Sequence, residues 1–175
     1  MRFIVFVIVF SVAFFSCQTE RRKPKPKQDA VHAKKLLERI NRQLVQEDRE
    51  LIDGYIKRHK LEGVTESETG LFYVIMGSSD GIPVEKGDLV EYSYRITLLD
   101  GTVCYESKPD SLGTFVVGHG GVESGLEQGI LMMRQGQKAK FIMPPYLAHG
   151  LIGDAKRIPA RSIIVYDIEL LKVNK

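Results

Sequence analysis

Residues 122–150 read VESGLEQGILMMRQGQKAKFIMPPYLAHG, and this stretch decides the architecture. Leu126, Ile130 and Met133 recur at helical steps, so 124–133 is expected to form a short amphipathic helix, with Ser124 placed to cap it. Gly136 stands just past the end, where a helix stops. Residues 138–143, KAKFIM, alternate and predict a strand. A loop rich in Pro, Gly, aromatic and His side chains then runs from 144 to 160. The stretch has no cysteine, no serine nucleophile beside a partner base and no cluster with metal-ligand spacing. If the chain is an enzyme, its site must work through apolar walls and aromatic rings.

Strands flank this unit on both sides. In 89–98, Val90, Tyr92, Tyr94, Ile96 and Leu98 share one face, and Glu91, Ser93, Arg95 and Thr97 the other, as in a half-buried antiparallel strand. Asp100-Gly101 signals a hairpin, and 102–105 begins the return strand. A loop at 108–113, a short strand at 114–117 and a Gly-His-Gly-Gly corner at 118–121 follow. Residues 163–173, rich in β-branched side chains, form the last strand. Upstream, 61–70 reads as loop and 71–76 as a further strand. Residues 77–81, GSSDG, match the spacing of a hydrolase nucleophile elbow. That motif needs a helix after it, and Ile82-Pro83 stands there instead, so a turn is expected. No internal repeat is visible. The class is α+β: an antiparallel sheet with one short helix over about 84–175, extended by the preceding strand to 71–175.

The N-terminal third is different in kind. The chain has 175 residues and 43% hydrophobic content, enough for one domain with appendages. Its formal charge of +3 is unevenly spread: Arg21, Arg22, Lys23, Lys25 and Lys27 crowd together, and without them and Arg2 there remain 19 basic residues against 22 acidic. A mildly acidic domain thus follows a basic tether. The tether lacks interleaved aromatics and contains Pro24 and Pro26, so nucleic-acid binding is not implied. Arg2, the apolar run 3–15 and the small Ser16 read as an export signal over 1–16, shorter than the roughly 20 residues of a membrane span. Phe14-Phe15-Ser16-Cys17 resembles a bacterial lipobox, which implies diacylation of Cys17 and its exposure as the new N-terminus. An uncleaved anchor or a plain signal peptide remains the alternative. Residues 17–30 then form a lipidated cysteine and an extended basic linker. Besides Cys17 there is only Cys104; with Cys17 acylated no disulfide forms within the chain, and Cys104 fits a small buried hydrophobe better than a reactive thiol.

In 31–60, Leu36, Leu37, Ile40, Leu44, Leu51, Ile52, Tyr55 and Ile56 recur at three- and four-residue steps among charged residues, an amphipathic helix weakened near its end by Gly54. Its apolar stripe must dock on the following domain or pair with a second copy; docking within the chain is favoured.

Many separated positions share one further property. Val90-Glu91-Tyr92, Asp100-Gly101, Phe115, Gly118, Val122, Gly125-Leu126-Glu127-Gln128-Gly129, Gly136-Gln137-Lys138-Ala139, Pro145, Ala148-His149-Gly150, Ile158-Pro159 and 165–171, VYDIELL, resemble the FKBP-type peptidyl-prolyl cis-trans isomerases. With the lipobox and the N-terminal helix, the chain also resembles the FKBP-type lipoproteins associated with gliding motility in bacteria. The resemblance implies a curved antiparallel sheet half-wrapped around the short helix, with a proline-binding hollow between them. Carried over by position, it makes Tyr92, Phe115, Ile158 and Tyr166 catalytic and Val122 and Leu126 substrate-binding walls. Cys104, Tyr105, Glu123 and His149 would bind substrate at the rim. Taken alone, the aromatic positions also fit a packed core; the spacing match assigns them to a hollow. No cofactor is implied, and His32, His59, His119 and His149 lack metal-ligand spacing.

The pattern also departs from the family. Cys104 stands where members commonly carry Phe, Tyr105 where they carry Asp, Leu126 where they carry Trp and His149 where they carry Tyr. Reduced activity and weakened macrolide binding are the expectation. The leading reading is a lipid-anchored isomerase acting on proline-containing, unfolded or exported polypeptides. Gln18 after Cys17 favours the outer membrane, facing the periplasm. The rival is a non-catalytic proline-binding or chaperone module of an envelope assembly.

Overall fold

A computed structural model describes residues 27–77 and 80–175. The export signal, Cys17 and most of the basic linker lie outside the described residues, as do Ser78 and Ser79 of the elbow-like turn.

Helix α1, Lys27–Arg58, starts four residues before the expected position; Asp29 in its first turn and Lys57 and Arg58 in its last complement the helix dipole. Residues 29–40 are exposed all round. Its later turns belong to the compact unit 39–175. There Ile52 and Tyr55 pack with Phe72, Ile142, Ile163 and Val165, so the apolar stripe is used in part. Arg161 ties the same turns down, donating to the Leu44 carbonyl at 3.2 Å and to Asp48 at 2.9 Å. Leu36, Leu37 and Ile40 stay exposed. Among the described residues no helix is long and apolar enough to cross a membrane.

Seven strands make one antiparallel sheet: β1 (Thr65–Glu66), β2 (Phe72–Met76), β3 (Leu89–Leu98), β4 (Val103–Glu106), β5 (Gly113–Val116), β6 (Lys138–Met143) and β7 (Ile164–Asn174). Their order is β1-β2-β6-β7-β3-β4, with β5 also paired to β3. β3 and β6 coincide with the segments marked by alternation. β1 falls inside the expected loop 61–70, where it borrows its pairing from β2 through Thr65–Tyr73 and Glu66–Phe72. The long β3–β7 pairing has a bulge between Glu91 and Tyr92, which increases local twist just where Tyr92 turns inward.

Helix α2, Ser124–Leu131, lies against the sheet's inner face because two glycines let it. A Cβ on Gly129 would stand 2.6 Å from the Phe141 ring, and one on Gly125 2.8 Å from the Met143 sulfur. Gly125 and Gly129 are one helical turn apart, so they form a flat face toward β6. Leu126 and Ile130 are fully buried, and Met133 nearly so. Ser124 does not cap the helix: Glu123 holds the cap position with no side-chain bond to the helix end, and Ser124 Oγ donates to the Leu147 carbonyl at 3.4 Å. The result is the α+β architecture expected from the sequence.

Candidate active site

Between the sheet, Glu123 at the head of α2 and the loop after β6 opens a hollow of about 400 Å³. β3 contributes Tyr92, Tyr94 and Ile96, which the two-residue period puts on one face. β4 contributes Tyr105, β5 Gly113 and Thr114, and β7 Tyr166. Glu123 enters from the start of α2; His149, Asp154 and Lys156 come from the loop after β6.

The rings form a connected set. Phe115 meets Tyr92 edge to face, with centroids 5.8 Å apart at 83°. Tyr94 lies 5.7 Å from Tyr92 and 6.2 Å from Tyr166. Gly113 makes room: a Cβ there would stand 2.5 Å from Tyr92 Cζ.

Several polar groups in this wall are paired with one another. Tyr166 donates its hydroxyl to Glu123, 3.1 Å from either carboxylate oxygen, and His149 Nε2 lies 2.9 Å from Glu123 Oε1. Burial, followed by the Glu123 charge, raises the Tyr92 and Tyr166 phenols above their ordinary value of 10.0. Both stay protonated as hydrogen-bond donors at neutral pH. Asp154 accepts the Tyr105 hydroxyl and the backbone N–H groups of Lys156, Arg157 and Ile158. The Tyr105 hydroxyl, ahead of those N–H groups, holds its carboxyl well below the usual carboxylate range.

The structure brings Tyr92, Tyr105, Glu123, His149 and Tyr166 together at the surface of the hollow. Phe115, Leu126, Ile158 and Cys104 sit behind them in the same apolar cluster, with Val122 packed against it half-buried. Cys104, expected at the rim, is 1% exposed. Burial raises its thiol, so it is poorly suited to act as a nucleophile. The backbone N–H of Ile158 is already committed to Asp154. Tyr94, Ile96, Gly113, Thr114, Asp154 and Lys156 were not among the expected site residues. The alternation of 89–98 already put Tyr94 and Ile96 on the face of Tyr92. No local pattern marks Asp154, whose partner Tyr105 is 49 residues away. Among the described residues no Ser, Thr or Cys side chain is hydrogen-bonded to His149, so the His149–Glu123 pair has no nucleophile to activate.

The sheet wrapped on α2 and the aromatic hollow agree with the relationships of the chain. The family model of the FKBP-type peptidyl-prolyl cis-trans isomerases matches residues 81–171, just over half of the sequence, and the chain belongs to that family. It is 37% identical over 118 residues to the FKBP-type peptidyl-prolyl cis-trans isomerase FkpA of Aeromonas hydrophila, covering 66% of this chain and 42% of that relative. It is 39% identical over 93 residues to the human peptidyl-prolyl cis-trans isomerase FKBP10, covering 52% of this chain and 16% of that protein. The chain therefore spans less than half the length of these relatives. The crystal structure of FkpA from Escherichia coli superposes with a TM-score of 0.64 at 26% identity, covering 88% of this chain and 74% of that one.

Proposed function

We propose that the chain is a peptidyl-prolyl cis-trans isomerase of the bacterial cell envelope, assisting the folding of exported proteins. The observation that carries this reading is the tyrosine-lined hollow backed by Phe115 and Leu126, in a chain of this family. Rotation about an X–Pro bond crosses a barrier of about 18–20 kcal/mol because twisting destroys amide resonance. No covalent bond to carbon is made or broken. A twisted amide loses its resonance charge separation, so a dry aromatic surface disfavours it less than the planar form. Tyr92 and Tyr166 supply that surface, Phe115, Val122, Leu126 and Ile158 its apolar backing, Tyr105, Glu123 and His149 the substrate-facing wall, and Cys104 its buried support. The protonated Tyr92 phenol orients a substrate carbonyl, while the Tyr166 proton is held by Glu123.

Uncatalysed prolyl isomerisation takes tens to hundreds of seconds, so a compartment receiving unfolded chains gains from catalysis. The lipobox-like Phe14-Phe15-Ser16-Cys17 supports a lipid anchor at Cys17, and Gln18 supports the outer membrane. Resemblance to motility-associated lipoproteins supports a motility-related client set. The exposed Leu36, Leu37 and Ile40 of α1 support pairing of two copies through that helix. A second reading, a non-catalytic chaperone, is favoured by the exposed Leu151 and Ile152 of the loop after β6, 72% and 85% accessible. A protease-coupled isomerisation assay on an Ala-X-Pro-Phe peptide separates the two: acceleration of the slow phase supports the isomerase, and suppression of client aggregation without acceleration supports the chaperone.

A further inference from the structure

We infer that Asp154 is a positioning residue for the isomerase site, acting through Tyr105; this rests on the isomerase reading. Tyr105 lies on β4, the last strand on its side of the sheet, and among the described residues no strand pairs with its outer edge. Its pairing with β3 is short and broken by a bulge between Ile96 and Thr97. The sheet alone therefore fixes the Tyr105 ring poorly, although that ring forms one wall of the hollow. The loop 154–158 supplies what is missing. Asp154 accepts the Tyr105 hydroxyl, and the Arg157 guanidinium lies 5.4 Å from the centre of the same ring. Arg157 Nη1 donates to the Cys104 carbonyl at 3.0 Å, and Cys104 Sγ donates back to the Arg157 carbonyl at 3.5 Å. The edge strand and the loop are thus clasped at both residues.

One carboxylate organises both halves of the clasp. Asp154 Oδ1 gathers the N–H groups of Lys156, Arg157 and Ile158 at 2.8, 3.0 and 2.8 Å, which turns the loop tightly and delivers Ile158 into the core behind the hollow. Oδ2 takes the Tyr105 hydroxyl. Asp154 itself lines the hollow, so tyrosine wall and loop wall share a single fixed point. Losing it frees the ring and the loop together, which widens the hollow and weakens its grip on a proline-containing segment.

The test uses the full chain purified in detergent, an Ala-X-Pro-Phe peptide, and the variants Asp154→Ala, Asp154→Asn, Tyr105→Phe and the double variant Asp154→Ala/Tyr105→Phe. Asp154→Ala and Tyr105→Phe should each lower kcat/KM by roughly tenfold, chiefly through KM. The double variant should be no worse than the weaker single, because the two residues act as one unit. Asp154→Asn keeps an oxygen for the three N–H groups and should recover most of the loss. Amide exchange at 156–158 should quicken in Asp154→Ala and stay slow in Asp154→Asn. A wild-type kcat/KM in Asp154→Ala, or losses that multiply in the double variant, would overturn the inference. Should Asp154→Ala fail to fold, an unaltered kcat/KM and KM in Tyr105→Phe overturns it equally. A wild-type protein that leaves the peptide's slow phase unchanged removes the isomerase reading and this inference with it; a wild type that is active beside a fully active Asp154→Ala removes the inference alone.

Discussion

Tyr166 donates its hydroxyl to Glu123 at 3.1 Å from each carboxylate oxygen, joining the central strand β7 to the first residue before α2. The Glu123 side chain is only 12% exposed and has one other charged or aromatic-ring partner, His149 at 2.9 Å. Removing the hydroxyl leaves a largely buried carboxylate short of a donor. Tyr166→Phe should therefore lower unfolding stability by about 1–3 kcal/mol in urea titration, and Glu123→Gln, whose amide still accepts from Tyr166, by less. Equal stability in Tyr166→Phe and wild type would show that water replaces the phenol at no cost.

Gly113 is where backbone and ring share space. Its added Cβ would lie 2.5 Å from Tyr92 Cζ and 2.6 Å from Cε2, so Gly113→Ala must push the Tyr92 ring out of place. Overpacking of this kind costs about 1–3 kcal/mol. The expected outcome is a modest fall in melting temperature with a larger fall in isomerase kcat/KM, since the displaced ring faces the hollow. An active Gly113→Ala would separate Tyr92 from the site.

Alkaline pH should weaken the fold through the same rings. The Tyr92 and Tyr166 phenols are raised in the folded state, first by burial and then by the Glu123 charge. A raised folded value means that their contribution is complete below the ordinary 10.0 and is lost as pH climbs past it toward the folded values. Urea midpoints should hold level from neutral pH up to that range and then fall. Phenolate absorbance of these two residues should appear together with unfolding; early ionisation of Tyr166 in the folded chain would contradict the burial argument.

The acylation reading rests on a short sequence pattern and has its own test. Cys17→Ser should abolish metabolic palmitate labelling and release the chain from membranes, since each buried lipid CH₂ contributes about 0.8 kcal/mol of anchoring. Label retained in Cys17→Ser would refute acylation at that residue.

The legible parts of the chain share a physical cause. β3 and the first half of β6 were visible because a buried face alternates with a more open one, as from Val90 to Leu98 and from Lys138 to Phe141, whereas Ile142 and Met143 are buried in succession. α2 was visible because Leu126 and Ile130 must both reach the core one turn apart, although the helix ends at Leu131 before Met133. β1 was hidden because two residues carry no period and depend on β2 for pairing. The early start of α1 was hidden because Lys27 to Ala30 has no apolar stripe to register it. The Tyr105–Asp154 bond and the Arg161 tie to Asp48 were beyond reach because they join residues 49 and 113 apart with no shared local motif. Ser124 misled because a capping residue type stood one position inside the helix, where its hydroxyl found the Leu147 carbonyl instead.

The most direct test of the isomerase reading is the protease-coupled assay on an Ala-X-Pro-Phe peptide with the purified chain beside Tyr92→Ala and Phe115→Ala. The expected result is a slow phase that shortens in proportion to protein concentration, with each variant losing most of that acceleration at a retained fold. A slow phase left unchanged by the wild-type chain, or full acceleration by Tyr92→Ala and Phe115→Ala, would contradict it.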